Sequence, residues 1–266
     1  MTTLPDELPA ASEAPVATFP GSQFRLKPEM LFDNFVTGES NQFAHAVARQ
    51  AAENPGVAHN PLYIYGPTGT GKTHLLHAIG NFIRRQDTRA KVAHLTAEQY
   101  FNDVVRAYKG NVFAEFKRSY HSLDALFISA IEDLSGKPRS QAELLYTVES
   151  LLETGKQIVL SGDGYLDRME WVKAKLLSRI ASGLAVGIEP PDLALREKIV
   201  LQMAATKGIE LDADVAHCIA EAAGANCHAL MGALKRVVAY SRFLDQPISV
   251  ESARKTLENV PGQGRV

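Results

Sequence analysis

The eight residues GPTGTGKT (66–73) restrict this chain more than any other stretch. They fit G-x-x-x-x-G-K-[ST] and lie between a short β-rich run, PLYIY (61–65), and an amphipathic helical stretch, THLLHAIGNFIRRQ (73–86). A strand that turns tightly into a helix leaves successive backbone N–H groups facing one point, and Gly66, Gly69 and Gly71 permit that turn. Such a point binds phosphate. The expected nucleotide contacts are therefore Gly66, Pro67, Thr68, Gly69, Thr70, Gly71, Lys72 and Thr73. Lys72 would reach the β- and γ-phosphates, and Thr73 would hold Mg²⁺ through its hydroxyl.

Strand and helix signals alternate around that motif. NQFAHAVARQAAENP, from residue 41, has helical spacing, with Phe43, Ala46, Val47 and Ala51 on one face, and Asn54-Pro55 stops it. KVAHLT (91–96) reads as a strand, AEQYFNDVVRAY and VFAEFKRSYH as helices, and the Leu126-Phe127-Ile128 run as a buried strand. QAELLYTVESLLETG (141–155) is a helix closed by Gly155, QIVLSGD (157–163) a strand, WVKAKLLSRIASG a helix, and AVGIEPPD a strand stopped by two prolines. This order predicts an α/β fold with a parallel sheet covered on both faces. Beyond Pro190-Pro191 only helices follow, with N-cap signals at Asp192, Asp212, Asn226 and Ser249. The expected division is a Pro/Ala/Ser-rich flexible arm over residues 1–23, a nucleotide-binding α/β domain over 24–190 and a helical domain over 191–266.

At 266 residues and 45% hydrophobic the chain has ample core, and a net charge of -2 lacks the global cationic signature of a duplex-DNA binder. Cys218 and Cys227 lack metal spacing and read as small core residues suited to a reducing cytoplasm. No secretion signal and no membrane-spanning run is evident, so the expectation is a cytoplasmic protein.

LFISAIEDL (126–134) departs from what the phosphate motif leads one to expect. A neighbouring strand should end in an acid for the metal, commonly with an adjacent acid for water. This one ends in Ser129 and Ala130, a weak ligand and a methyl group. Asp124 precedes the strand and would lie at its wrong end, while Glu132 and Asp133 fall past it and are expected on a solvated turn.

By these and further motifs the chain resembles the DnaA family of bacterial replication initiators. FDNFVTGESNQFAHAVARQAAENPGVAHNPLYIYGPTGTGKTHLLHAIG is similar to the opening of that family's AAA+ core. The likeness continues through FAEFKRSYHSLDALF, KQIVLSGD, SRIASGLAVGIEPPDL and GALKRVVAYS, over roughly residues 24–259. The resemblance implies an AAA+ P-loop NTPase with a parallel αβα sandwich and a small α-helical lid. Neither the family's N-terminal helicase-recruiting domain nor its helix-turn-helix DNA-binding domain is expected here. That layout is similar to Hda, a DnaA paralogue that promotes hydrolysis of initiator-bound ATP, although QFRLKP offers only Gln23 and Leu26 toward a sliding-clamp peptide.

Carried over residue by residue, the resemblance puts Phe35, Val36 and Asn41 around the adenine. It makes Asp163 a sensor, Arg179 an arginine finger acting on a neighbouring subunit's nucleotide, and His228 the occupant of the lid's γ-phosphate-sensing arginine position. Histidine is shorter and mostly neutral at pH 7, so a capping or packing role competes for His228. An exposed helical arginine competes with the finger role for Arg179. Val105, Lys137 and Arg139, the latter two in a basic GKPRS loop, match single-stranded-DNA contacts. Arg106, Lys109, Lys117 and Arg118 add charge nearby, and ordinary solvated helix faces are the competing account.

The reading is a replication-initiation regulator that binds ATP or ADP with weakly held Mg²⁺ and little intrinsic hydrolysis. Its partners would be DnaA or other AAA+ subunits, copies of itself, or single-stranded DNA. Two rivals stand beside it: an active helicase loader or remodeller using Glu132 or Asp133 as an unconventional acid, and a single-strand-binding scaffold.

Overall fold

Short apolar runs, buried on both sides, form the sheet, as parallel strands require. They are β1 (Leu62–Tyr65), β2 (Val92–Thr96), β3 (Ala125–Ser129), β4 (Gln157–Gly162) and β5 (Leu184–Gly187). In this computed structural model, which describes residues 26–258, all are parallel in the order β2-β3-β4-β1-β5. The arm assigned to residues 1–23 lies outside the described residues. Register pairs Leu62 with Val159 and Leu184, and Ile128 with Leu160, which aligns the carboxyl ends of β1, β3 and β4.

Alternate residues of each strand feed opposite cores. Leu126, Ile128, Ile158 and Leu160 join one core with α3 (Ala97–Lys109), α4 (Phe113–His121), α5 (Pro138–Glu153) and α6 (Ala174–Ala181). Ala125, Phe127, Val159, Leu62 and Ile64 join the other with α1 (Gln42–Glu53) and α2 (Lys72–Gln86). Helix α2 packs closely because Gly80 faces the sheet: a Cβ there would stand 2.8 Å from Phe127 and 2.6 Å from Leu26. Leu26 is therefore core rather than a free peptide anchor.

Helices α7 (Leu193–Ala205), α8 (Ala213–Ala223), α9 (Cys227–Leu244) and α10 (Val250–Glu258) bury a core of their own that includes Cys218. Asp192 caps α7 through Leu195 N–H at 2.7 Å, and Ser249 Oγ accepts from Ser252 N–H at 3.2 Å. Asp212 stands at the N-cap of α8, but its side chain makes no cap bond. Among the described residues no helix is long and apolar enough to cross a membrane.

Two helix starts differ from expectation. Helix α5 begins at Pro138 rather than 141, because proline at the first helical position sacrifices no needed N–H. The expected basic loop is thereby corrected: Lys137 is the N-cap and Arg139 is in the first turn. Helix α6 begins later, at Ala174, because buried Gln141 pins the residues before it. Its Nε2 donates to Trp171 O at 3.1 Å, and its Oε1 accepts from Lys173 N–H at 2.9 Å.

Under β2 two histidine rings, His77 and His94, meet at a tilt of 50° with centroids 4.1 Å apart. His77 Nδ1 accepts the Lys27 N–H at 3.2 Å. Burial, then the charge of Lys27, lowers the His77 pKa to about 4; burial, then His77, lowers that of His94 to about 3. Unfolded chains take up these protons first, so stability is level above pH about 6.5 and falls as pH drops from there toward 4. The loss expected from His77 is on the order of 3 kcal/mol. Urea unfolding across that range should show it, and His77→Gln, which keeps an acceptor for Lys27, should make the fall shallower while leaving the share of His94.

Candidate nucleotide site

The GPTGTGKT loop leaves β1 at the sheet's carboxyl edge and closes on β4, with Gly66 N–H donating to Gly162 O at 3.2 Å. Two glycines are obligatory for different reasons. Gly66 has φ +151°, and a Cβ on it would lie 2.1 Å from Ile188 O. Gly69 has φ +85°, and a Cβ there would strike Asn226 Oδ1 at 2.3 Å. Thr70 Oγ1 braces the turn by donating to Pro67 O at 2.9 Å. Helix α2 then begins at Lys72 behind Gly71, with no side chain capping it. Its first-turn N–H groups face outward at the positive end of the helix, which is an anion site.

Lys72 is the loop's buried cation. Its Nζ donates to Gly66 O, to Pro67 O at 3.0 Å and to Asp163 Oδ1 at 3.0 Å, while Thr68 Oγ1 reaches Asp163 Oδ2 at 3.4 Å. Asp163, just past β4, thus sits directly on the phosphate lysine. Thr73 follows on α2 and is exposed.

The acid end differs from expectation in one respect. Ser129 is buried and its hydroxyl turns to Leu95 O at 3.5 Å, away from any ligand. Asp124 lies at the opposite edge of the sheet, paired with Lys156 at 2.7 Å, and Asp133 is exposed, both as expected. Glu132 is not on a solvated turn. Ala130 takes a left-handed conformation (φ 57°, ψ 53°), and the 3-10 turn Ile131–Leu134 doubles back over β4. Glu132 Oε2 is enclosed and accepts no hydrogen bond; a Cβ on Gly162 would stand 3.0 Å from it. Burial, then the charges of Asp163 and Asp133, raises its pKa against the opposing pull of Lys72. Beside it the Tyr63 hydroxyl donates to Gly164 O at 2.6 Å, its pKa raised by burial and then by Glu132 and Asp163.

Phe35 closes the loop's other side. Its ring stacks on His45 at 5.6 Å, meets His74 edge-on at 5.2 Å, and would contact a Cβ on Gly71 at 3.0 Å. Asn41, buried, shapes this segment: Oδ1 accepts Gly38 N–H at 2.9 Å and Nδ2 donates to Val36 O at 3.0 Å. Helix α9 docks its amino end on the phosphate loop. Cys227 N–H donates to Gly69 O at 2.9 Å and Asn226 Nδ2 to Thr68 O at 3.0 Å. Asn226 Oδ1 meanwhile caps His228 and Ala229. The His228 side chain is exposed at that end, so it neither caps nor packs.

Arg179 is exposed in the last turn of α6 and paired with Glu149 of α5 at 3.0 Å. Lys137 Nζ stands 4.3 Å from the Phe101 ring and Arg139 Cζ 5.3 Å from that of Tyr108, and Val105, on the same helix α3 as both rings, is half-buried.

The sequence profile of the bacterial DnaA ATPase domain matches residues 26–187, more than half of the chain. The chain belongs to that family. The replication initiator DnaA of Nitrosomonas eutropha is 46% identical over 236 residues, covering 89% of this chain and 51% of that protein. The chain spans about half the length of the curated relatives it matches. Domain III of the Thermotoga maritima replication initiation protein DnaA superposes with a TM-score of 0.85 at 34% identity, covering 88% of this chain and 98% of that one. A replication initiator DnaA bound to AMPPCP and single-stranded DNA superposes with a TM-score of 0.74 at 31% identity, over 83% of this chain and 69% of that one. Sheet and helices are those of an AAA+ P-loop NTPase.

Sequence reasoning found the DnaA-type loop and its lysine but missed the bond from Asn226 to Thr68. Asn226→Ala should lose the cap, about 1 kcal/mol, together with the link to the loop. The melting temperature should fall, and amide exchange should quicken at Gly69–Gly71. Asn226→Ser restores only the cap, so it should recover stability while the loop amides stay fast.

Proposed function

We propose that this chain binds an adenine nucleotide, ATP or ADP, and acts in replication initiation through nucleotide-dependent contacts with DnaA-type AAA+ subunits or its own copies. The observation that carries this is the uncapped amino end of α2 behind a glycine turn, with Lys72 held beside it. The DnaA solved with AMPPCP supports the adenine nucleotide. In this reading the loop amides take the phosphates, and Lys72 exchanges loop carbonyls and Asp163 for phosphate oxygen. Phe35, Val36 and Asn41 border the base.

Mg²⁺ fits the residues present. Thr73 offers an exposed hydroxyl and Glu132 an unsatisfied carboxylate oxygen, while no three His, Cys, Asp or Glu side chains among the described residues cluster to hold a metal alone. Phosphate and water oxygens would complete its shell, and the ion would neutralise charge on the phosphates.

Residues 24–190 serve as the nucleotide-binding domain and the later helices as its lid. Their two bonds at Thr68 and Gly69 transmit the loop's state to α9. Arg179 acts as the finger on a neighbour's nucleotide after leaving Glu149. The regulatory, hydrolysis-poor version of this reading rests on Ser129, Ala130 and His228; the enclosed Glu132 carboxylate argues against an inert site. Val105, Lys137 and Arg139 form the single-strand contact, which the same solved DnaA supports.

Calorimetric titration with ATP and ADP tests the central claim. Wild-type protein should bind both, and Lys72→Ala should weaken binding at least tenfold, about 1.4 kcal/mol. Absence of binding by the wild type overturns the reading. For the finger role, Arg179→Ala should abolish any stimulation of hydrolysis in a mixed assembly with a DnaA-type initiator.

A further inference from the structure

We propose that Glu132 supplies the negative charge that holds the divalent cation arriving with the phosphates, a role its neighbours at the end of β3 cannot fill. The proposal rests on the nucleotide reading above and assigns a residue role within that same site.

The backbone route is the first support. Ala130 is a non-glycine residue in the left-handed region, at a cost on the order of 1 kcal/mol. That bend falls directly after β3 and reverses the chain. Ile131 and Leu134, both buried, then fix the 3-10 turn against the core. Glu132, between them, is delivered to the carboxyl end of β4, where Gly162 leaves space for it and Asp163 begins the site.

Its lack of a partner is the second support. An enclosed carboxylate oxygen with no donor costs roughly 1–3 kcal/mol, and such groups call for an explanation in function. Of the groups near this edge, the buried Ser161 hydroxyl is also without a partner but carries no charge, and the others are engaged. Asp163 is on Lys72, the Ser129 hydroxyl is on Leu95 O, and the Tyr63 hydroxyl donates to Gly164 O. Asp133 is exposed, and Asp124 is at the opposite edge. Lys72, the cation of this edge, is paired with Asp163 rather than with Glu132, and bound phosphate would draw it further away. Two carboxylates and a nucleotide triphosphate then crowd one edge. A divalent cation resolves that excess charge, and a carboxylate oxygen is its preferred protein ligand.

ATP affinity measured with Mg²⁺ and with a chelator in its place tests this on the intact chain. Wild-type protein should gain about tenfold or more from Mg²⁺, a difference of ~1.4 kcal/mol. Glu132→Gln should lose that gain while its affinity without metal stays the same or improves, and Asp133→Asn should keep it. Glu132→Asp retains the charge on a shorter arm and should keep part of the gain. Equal Mg²⁺ gains in wild type and Glu132→Gln overturn the proposal, as does a wild type indifferent to Mg²⁺. So does a loss in both Glu132 variants accompanied by a lowered melting temperature, which marks a structural role. If the wild type binds ATP in neither condition, the nucleotide reading itself has failed.

Discussion

The parallel pairing of β1 with β4, and of β4 with β3, decides where every polar group of this site can be. Parallel register brings three strands to one edge, so residues distant in sequence leave the sheet side by side. Gly66 leaves β1, Asp163 leaves β4, and Ala130 leaves β3. The bond from Gly66 N–H to Gly162 O extends the β1–β4 ladder into the phosphate loop itself. A slip of one residue would exchange the two cores and turn these groups away from one another.

Much of this arrangement was legible because it rests on periodicity and turn chemistry. Apolar runs of four to six residues flanked by helical spacing define the sheet, and GPTGTGKT marks the strand-to-helix turn. Asp192 and Asn226 were readable as caps because capping is local. What could not be read was the direction of groups fixed by non-local packing. Alanine gives no hint of a left-handed conformation, so Glu132 looked like a solvent residue until Ala130 turned the chain beneath it. Arg179 gave no sign of its partner because Glu149 lies on the preceding helix, brought near only when α5 and α6 pack. The late start of α6 is set by Gln141 of α5, whose burial and bonds to Trp171 and Lys173 form only when the two helices pack.

Asn226 shows how a local device becomes a long-range one. Its Oδ1 satisfies the first amides of α9, which any good N-cap residue would do. Its Nδ2 is then free to bond Thr68 O, and the missing Cβ at Gly69 lets the two chains approach. Aspartate could cap equally well but has no donor for the loop, and serine's only donor sits on the capping oxygen itself, one bond closer to the backbone than Asn226 Nδ2. One side chain therefore joins the lid's stability to the phosphate loop's shape, and whatever moves the loop acts on the first turn of α9.

Charge sets the remaining constraint. Lys72 is nearly enclosed and cannot go unpaired, so Asp163 and two loop carbonyls hold it in place. A phosphate competing for Lys72 must displace those partners, and Asp163, half exposed, is the one that water can solvate in exchange. Glu132 has no such exit, since the same turn that buries Ile131 and Leu134 keeps its carboxylate inside. The two acids at this edge are thus unequal. In the proposed reading Asp163 yields to the anion, while Glu132 stays enclosed at the edge, where burial raises its pKa and a cation would favour its charged form. On the proposed role of Glu132, a site built this way would favour phosphate accompanied by a cation over phosphate alone.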